Sequence, residues 1–75
     1  MALIQVTVVE EVLTLEQKRR VIENLTDAML QITGEAMRGA TWVTIQDVRF
    51  GAWGIGGQVL TKDSVKALKA GKAAA

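Results

Sequence analysis

The run Thr14-Leu15-Glu16-Gln17-Lys18-Arg19-Arg20-Val21-Ile22-Glu23-Asn24-Leu25-Thr26-Asp27-Ala28-Met29-Leu30-Gln31-Ile32-Thr33-Gly34 decides the fold. Thr14 is a helix N-cap, and Gln17 stands three residues on, as a capping box requires. Glu16 lies in the first turn, where the helix dipole favours an acid. Val21, Ile22, Leu25, Ala28, Met29 and Ile32 recur at steps of three and four, the spacing of one helical face. Lys18, Arg19, Glu23 and Asp27 fall mostly on the wet face. Gly34 is the natural stop. These signals predict one long helix over 14–33.

Strands flank that helix on both sides. Residues 2–10 alternate Ile4, Val6 and Val8 with Gln5 and Thr7, and the stretch is rich in β-branched residues. Leu3 and Val9 fall on the more polar face, so both faces of this strand are expected to be part-buried. After a loop at 35–40, residues 41–48 form a second strand, with Val43 and Ile45 on one face and Trp42, Thr44 and Gln46 on the other. Strand, long helix, strand is a β-α-β unit, which implies a parallel pair. Downstream, Trp53-Gly54-Ile55-Gly56-Gly57 holds three of the seven glycines within five residues. Gly56-Gly57 is the strongest turn signal in the chain and predicts a hairpin over 53–60. Thr61 or Asp63 can then cap a short helix over 62–70 that carries Val65 and Leu68. Gly71 ends it, and Lys72-Ala73-Ala74-Ala75 is expected to be a frayed tail. The expectation is a single α+β domain over residues 1–75.

Composition narrows the function. The chain has 75 residues and is 49% hydrophobic, a high apolar content for a length that gives a poor surface-to-volume ratio. With no cysteine and no histidine, disulfide staples, thiolate or imidazole metal ligands and Ser-His or Cys-His catalysis all lack their parts. Neither a metal nor a cofactor is expected. Oligomerisation is the remaining remedy for a small core. A net charge of +1 offers no basic face for nucleic acid. No run approaches the length of a membrane span, and the start shows no basic-then-apolar leader. The expectation is a soluble cytoplasmic protein with no nucleic-acid or membrane partner.

Few groups are left to carry chemistry. Glu10, Glu11 and Asp47 lie near strand ends, where carboxylates are usually solvated. Gly54-Ile55-Gly56-Gly57 lacks the Lys-Ser/Thr of a phosphate loop. Arg38 and Arg49 are each able to fork onto a carboxylate or phosphate. The remaining candidate is the chain's own amino terminus. An α-amine titrates near 7.7–8.0, and desolvation at the mouth of an apolar pocket lowers that value further. Such an amine can act as a general base or form a Schiff base.

Taken together, Gln5-Val6-Thr7-Val8-Val9-Glu10, Thr14-Leu15-Glu16-Gln17-Lys18, Thr41-Trp42-Val43-Thr44-Ile45 and Trp53-Gly54-Ile55-Gly56-Gly57 resemble the tautomerase superfamily, specifically its short 4-oxalocrotonate tautomerase-like subunits. The motifs stand in family order and span nearly the whole chain. The resemblance implies a β-α-β subunit, sheets joined side by side in dimers, and a hexamer built as a trimer of dimers. It implies an isomerase that moves a proton on a small keto or enol acid. In the family the base is an N-terminal proline, arginines bind the substrate's carboxylates, and an aromatic residue near the glycine-rich turn walls the pocket.

The sequence departs from that pattern where the chemistry is done. The proline position is Ala2, whose primary amine is available only if Met1 is removed. The first family arginine falls in the Val12-Leu13 region, and the second aligns with Trp42. The wall matches at Trp53. The site expected from the resemblance is therefore Ala2 as base, with Trp53, Trp42, Arg49 and Ile55 against the substrate. Three readings follow: a tautomerase using Ala2 (or Met1) as base, with weak activity; a subunit of a mixed hexamer whose proline-bearing partner supplies the base; or a catalytically silent homo-oligomer that binds a small molecule.

Overall fold

The computed structural model describes residues 1–71; the expected tail at 72–75 lies outside the described residues. Strand β1, Ala2–Val9, leads into helix α1, Leu15–Thr33, then a 3-10 segment Glu35–Ala40 and strand β2, Thr41–Val48. A small hairpin follows, β3 at Gly54–Ile55 and β4 at Gln58–Val59, and helix α2 covers Lys62–Lys69. Strands β1 and β2 pair in parallel from Ala2 opposite Thr41 to Val9 opposite Val48. The β-α-β unit, the hairpin and the short second helix agree with the sequence reading.

Local chemistry explains where α1 begins. The Thr14 hydroxyl accepts from the Gln17 N–H at 3.1 Å, and the Gln17 side chain accepts from the Thr14 N–H at 2.9 Å. Both halves of the capping box are therefore formed. Replacing Thr14 with alanine removes one half, and we expect a loss of about 1 kcal/mol, read as a lower midpoint in denaturant with unchanged slope. At the other end, Gly34 takes φ 101° and donates its N–H to the Leu30 carbonyl at 2.8 Å.

The segment 35–40, expected as a loop, is a 3-10 helix. The Met37 N–H reaches back to the Gly34 carbonyl at 3.1 Å. Arg38 ties the segment to α1 by bonding Glu35 at 2.6 Å and Asp27 at 3.0 Å. This segment packs against α1, and the helix buries other side chains than its stripe predicts. Leu30, outside the expected stripe, is buried, whereas Ile32, inside it, is 86% exposed. Lys18, expected on the wet face, turns to the sheet instead. Its ammonium lies 2.6 Å from Asp47 at the end of β2, and its stem covers the apolar surface between them.

The core is thin. Only Val9, Leu30 and Val65 are buried hydrophobics among the described residues. The sheet face away from α1 carries Leu3 and Trp42, paired in register and 53% and 55% exposed. The radius of gyration is 15.4 Å and the long axis 43 Å, where a compact chain of this length would have a radius near 11 Å. An apolar-rich chain in this extended shape leaves its sheet faces for another surface to cover.

Candidate active site

Position 2 opens β1, and Ala2 lies opposite Thr41. Its side chain shares a face with Ile4, Val6 and Val8, by the alternation of a strand. Trp42 is one residue beyond Thr41 and points to the opposite face, beside Leu3. Arg49 directly follows β2, whose last residue pairs with the end of β1. Seven steps of strand separate Ala2 from that end, about 23 Å at 3.3 Å per residue. Within one protomer, Ala2 and Arg49 therefore occupy opposite ends of the sheet.

Trp53 and Ile55 stand on the hairpin. Its two central residues, Gly56 and Gly57, have φ of 59° and 85°, the double positive φ of a type I′ turn. The Leu60 N–H donates to the Trp53 carbonyl at 2.8 Å, which closes the base of the hairpin at the tryptophan. Gly51, at φ 91°, lets the chain leave β2 and turn into this hairpin. The ring of Trp53 is half-buried, and Ile55 is 61% exposed.

Three concavities stand out among the described residues, and none is lined by Ala2, Trp42, Arg49, Trp53 or Ile55. The largest, about 690 Å³, is an apolar groove between the start of α1 and Ile45 of β2. The second, about 240 Å³, lies where the β1 end meets α2, among Glu11, Phe50, Val65 and three lysines. The α2 lysines were missed in the sequence because that segment was read through Val65 and Leu68 alone. The signal was there: Lys62, Lys66 and Lys69 are spaced four and three apart, on one helical face with Val65.

The charged groups sort themselves by partner. Arg38 is held protonated, first by its hydrogen bond to Glu35 and then by that to Asp27. Arg38 in turn holds the Glu35 carboxyl below its usual range. Arg19 is raised by its hydrogen bond to Glu16 and by the charge of Glu23. These two arginines are engaged within the protomer. Arg49 forms no ion pair among the described residues. The strand-end carboxylates are occupied: Asp47 by Lys18, Glu11 by Lys62, and Glu10 by the Phe50 N–H at 3.0 Å. No group of three acidic side chains among the described residues is placed to hold a metal ion, and no helix is long and apolar enough to cross a membrane.

Comparison with known proteins places this arrangement. The family model described as tautomerase enzyme matches residues 3–63. No curated protein matches. Among solved structures, one from a study of the 4-oxalocrotonate tautomerase isozymes of Methylibium petroleiphilum is 41% identical, with a TM-score of 0.69, over 88% of this chain and 95% of that one. An apo unfused 4-oxalocrotonate tautomerase is 34% identical at a TM-score of 0.70, over 79% of this chain and 93% of that one. DmpI from Helicobacter pylori is 29% identical at a TM-score of 0.67, over 76% and 92%. The order of elements, the parallel strand pair, the glycine-rich hairpin and the family match over most of the chain lead to one assignment: this chain belongs to the tautomerase family and is of the 4-oxalocrotonate tautomerase-like kind.

Proposed function

We propose that the protein is an oligomeric isomerase subunit that moves a proton on a small enol or keto acid, with the Ala2 amine as base after removal of Met1. The observation that carries this reading is the separation of the parts. Ala2 opens the strand at one end of the sheet, while Arg49 and the chain leading to Trp53 leave from the other. A second copy can bring the two together. Strand β1 contains no charged residue between Ala2 and Val9, so its outer edge lacks the usual protection against pairing. A two-fold axis joining two such edges runs the strands antiparallel. The start of each β1 then lies beside the end of the other. A trimer of such dimers is the hexamer expected from the resemblance.

In this site the neutral amine removes the enol hydroxyl proton as the carbonyl forms. The resulting ammonium returns a proton to the carbon end of the double bond, so the amine is regenerated and the substrate is isomerised with no net loss of atoms. Trp53 contributes an apolar wall. Desolvation there disfavours the ammonium and leaves more free base at neutral pH. Ile55 and Trp42 add apolar surface, and Arg49 offers a guanidinium to the acid.

Intact mass followed by phenylenolpyruvate ketonisation tests the reading. The expected result is a chain lacking Met1 that accelerates ketonisation. Retention of Met1 would leave Ala2 with only an amide nitrogen and end the Ala2-amine mechanism. The lack of any proline in the sequence favours a second reading, in which a proline-bearing sister chain completes a mixed hexamer. Native mass spectrometry after co-expression with such a chain separates the two, since the first reading expects homo-oligomers alone to be active.

A further inference from the structure

The pocket at the end of β1 joins charge to an apolar floor. Its volume of about 240 Å³ lies below the roughly 300–1,000 Å³ of drug-sized sites, which suits a small ligand. Val65 in its floor is buried to 7% exposure, and the half-buried Phe50 ring lies against the same space. A lysine face that met only solvent would make no tertiary contacts. Two of these lysines do. The Lys69 ammonium donates to the Glu11 carbonyl at 2.9 Å, and Lys62 lies 3.4 Å from the Glu11 carboxylate. Glu11 itself stands at φ 67°, a left-handed backbone that a non-glycine residue adopts at a cost.

Lys66 lies between those two on the same helical face and lines the same pocket. Among the described residues it has no acidic partner. Lys62 thus meets the Glu11 carboxylate and Lys69 its backbone carbonyl, and Lys66 is left to pair with something else.

We propose that this pocket takes the carboxylate end of a small organic acid, with Lys66 as the ion-pairing group and Phe50 and Val65 against the acid's apolar part. That the acid is the substrate rests on the isomerase reading above. Antiparallel pairing of two β1 edges brings the Ala2 end of a second copy to this end of the sheet. The lysine would then orient the acid toward the amine and act as a binding residue, not as the base.

The test uses the assembled protein. The Val65 methyl and Phe50 ring resonances are followed by NMR during titration with phenylacetate, an unreactive aryl acid. Neutral phenylacetamide and inorganic phosphate serve as controls. Phenylenolpyruvate turnover is measured on the same samples. Phenylacetate is expected to shift both sets of resonances saturably, and more tightly than either control. Lys66→Ala should raise its Kd about tenfold or more, the loss of one hydrogen bond to a charged group. Lys66→Arg should keep it close to wild type. In turnover, Lys66→Ala should raise KM more than it lowers kcat. The proposal is overturned by the absence of a saturable shift, by an unchanged Kd in Lys66→Ala, or by phosphate binding as tightly as phenylacetate. Binding as described without turnover would leave the pocket standing and remove the isomerase reading. Turnover with an unchanged KM in Lys66→Ala would do the reverse.

Discussion

Acetylating the terminal amine should lower phenylenolpyruvate turnover by about 10² to 10⁴-fold, the usual contribution of a positioned general base. An acetylated nitrogen is an amide whose lone pair is delocalised into the carbonyl and cannot accept a proton, while the strand behind it is unaltered. The converse change sharpens the test. Ala2→Pro should raise kcat/KM by about tenfold or more, equivalent to roughly 1.4 kcal/mol in the barrier. The ring fixes the nitrogen's direction and makes it a secondary amine. Position 2 is the first residue of β1, a place where a strand tolerates proline, so folding should survive. Stopped assays on protein of verified mass give the comparison. Loss of activity in Ala2→Pro would rule out the N-terminal base.

The second large effect concerns association. Trp42→Asp should convert the protein to a monomer with weak, non-cooperative unfolding. Trp42 and Leu3 are paired neighbours on the sheet face that α1 does not cover. Covering a side chain of this size stabilises by about 1.5–3 kcal/mol, and symmetry repeats that gain in every subunit. A protomer with three buried hydrophobic side chains among the described residues has little else to stand on. For the unaltered protein the matching expectation is a melting temperature that rises with protein concentration, since association stabilises by mass action. Sedimentation and thermal unfolding at several concentrations check both. A concentration-independent melt of a monomeric wild type would end this account.

Most of the fold was legible because its signals are local. The capping box at Thr14 and Gln17, the stop at Gly34 and the Gly56-Gly57 turn each act within a few residues, and each appears where the sequence puts it. Reading erred where a distant segment decides the outcome. Leu30 is buried and Ile32 exposed on a helix that a later segment, residues 35–40, packs against. Lys18 leaves the wet face because Asp47 waits at the end of a strand 29 positions away. The functional site is less legible still. Ala2 and Trp53 were given their roles through family resemblance, and the length of sheet between Ala2 and Arg49 shows why spacing alone could not assemble a site. In the proposed arrangement the site is divided between copies, and such a site leaves no periodic trace in either one. The α2 lysines are the opposite case: their spacing was plain, but the side they turn inward depends on Glu11 and Phe50 from elsewhere in the chain.

The hairpin at 54–59 carries a consequence for the protein's life in a cell. Its two strands are two residues each, it packs mainly on itself, and a lone hairpin of that size is marginal in water. In a free chain this glycine-rich tip is a ready target for proteolytic nicking. Were a neighbouring copy to cover the tip, newly made chains would be in a race between assembly, which speeds up as more chain accumulates, and cleavage of individual chains, which does not. Abundance and lifetime would then be coupled: a well-expressed population would protect itself, and a sparse one would be cleared.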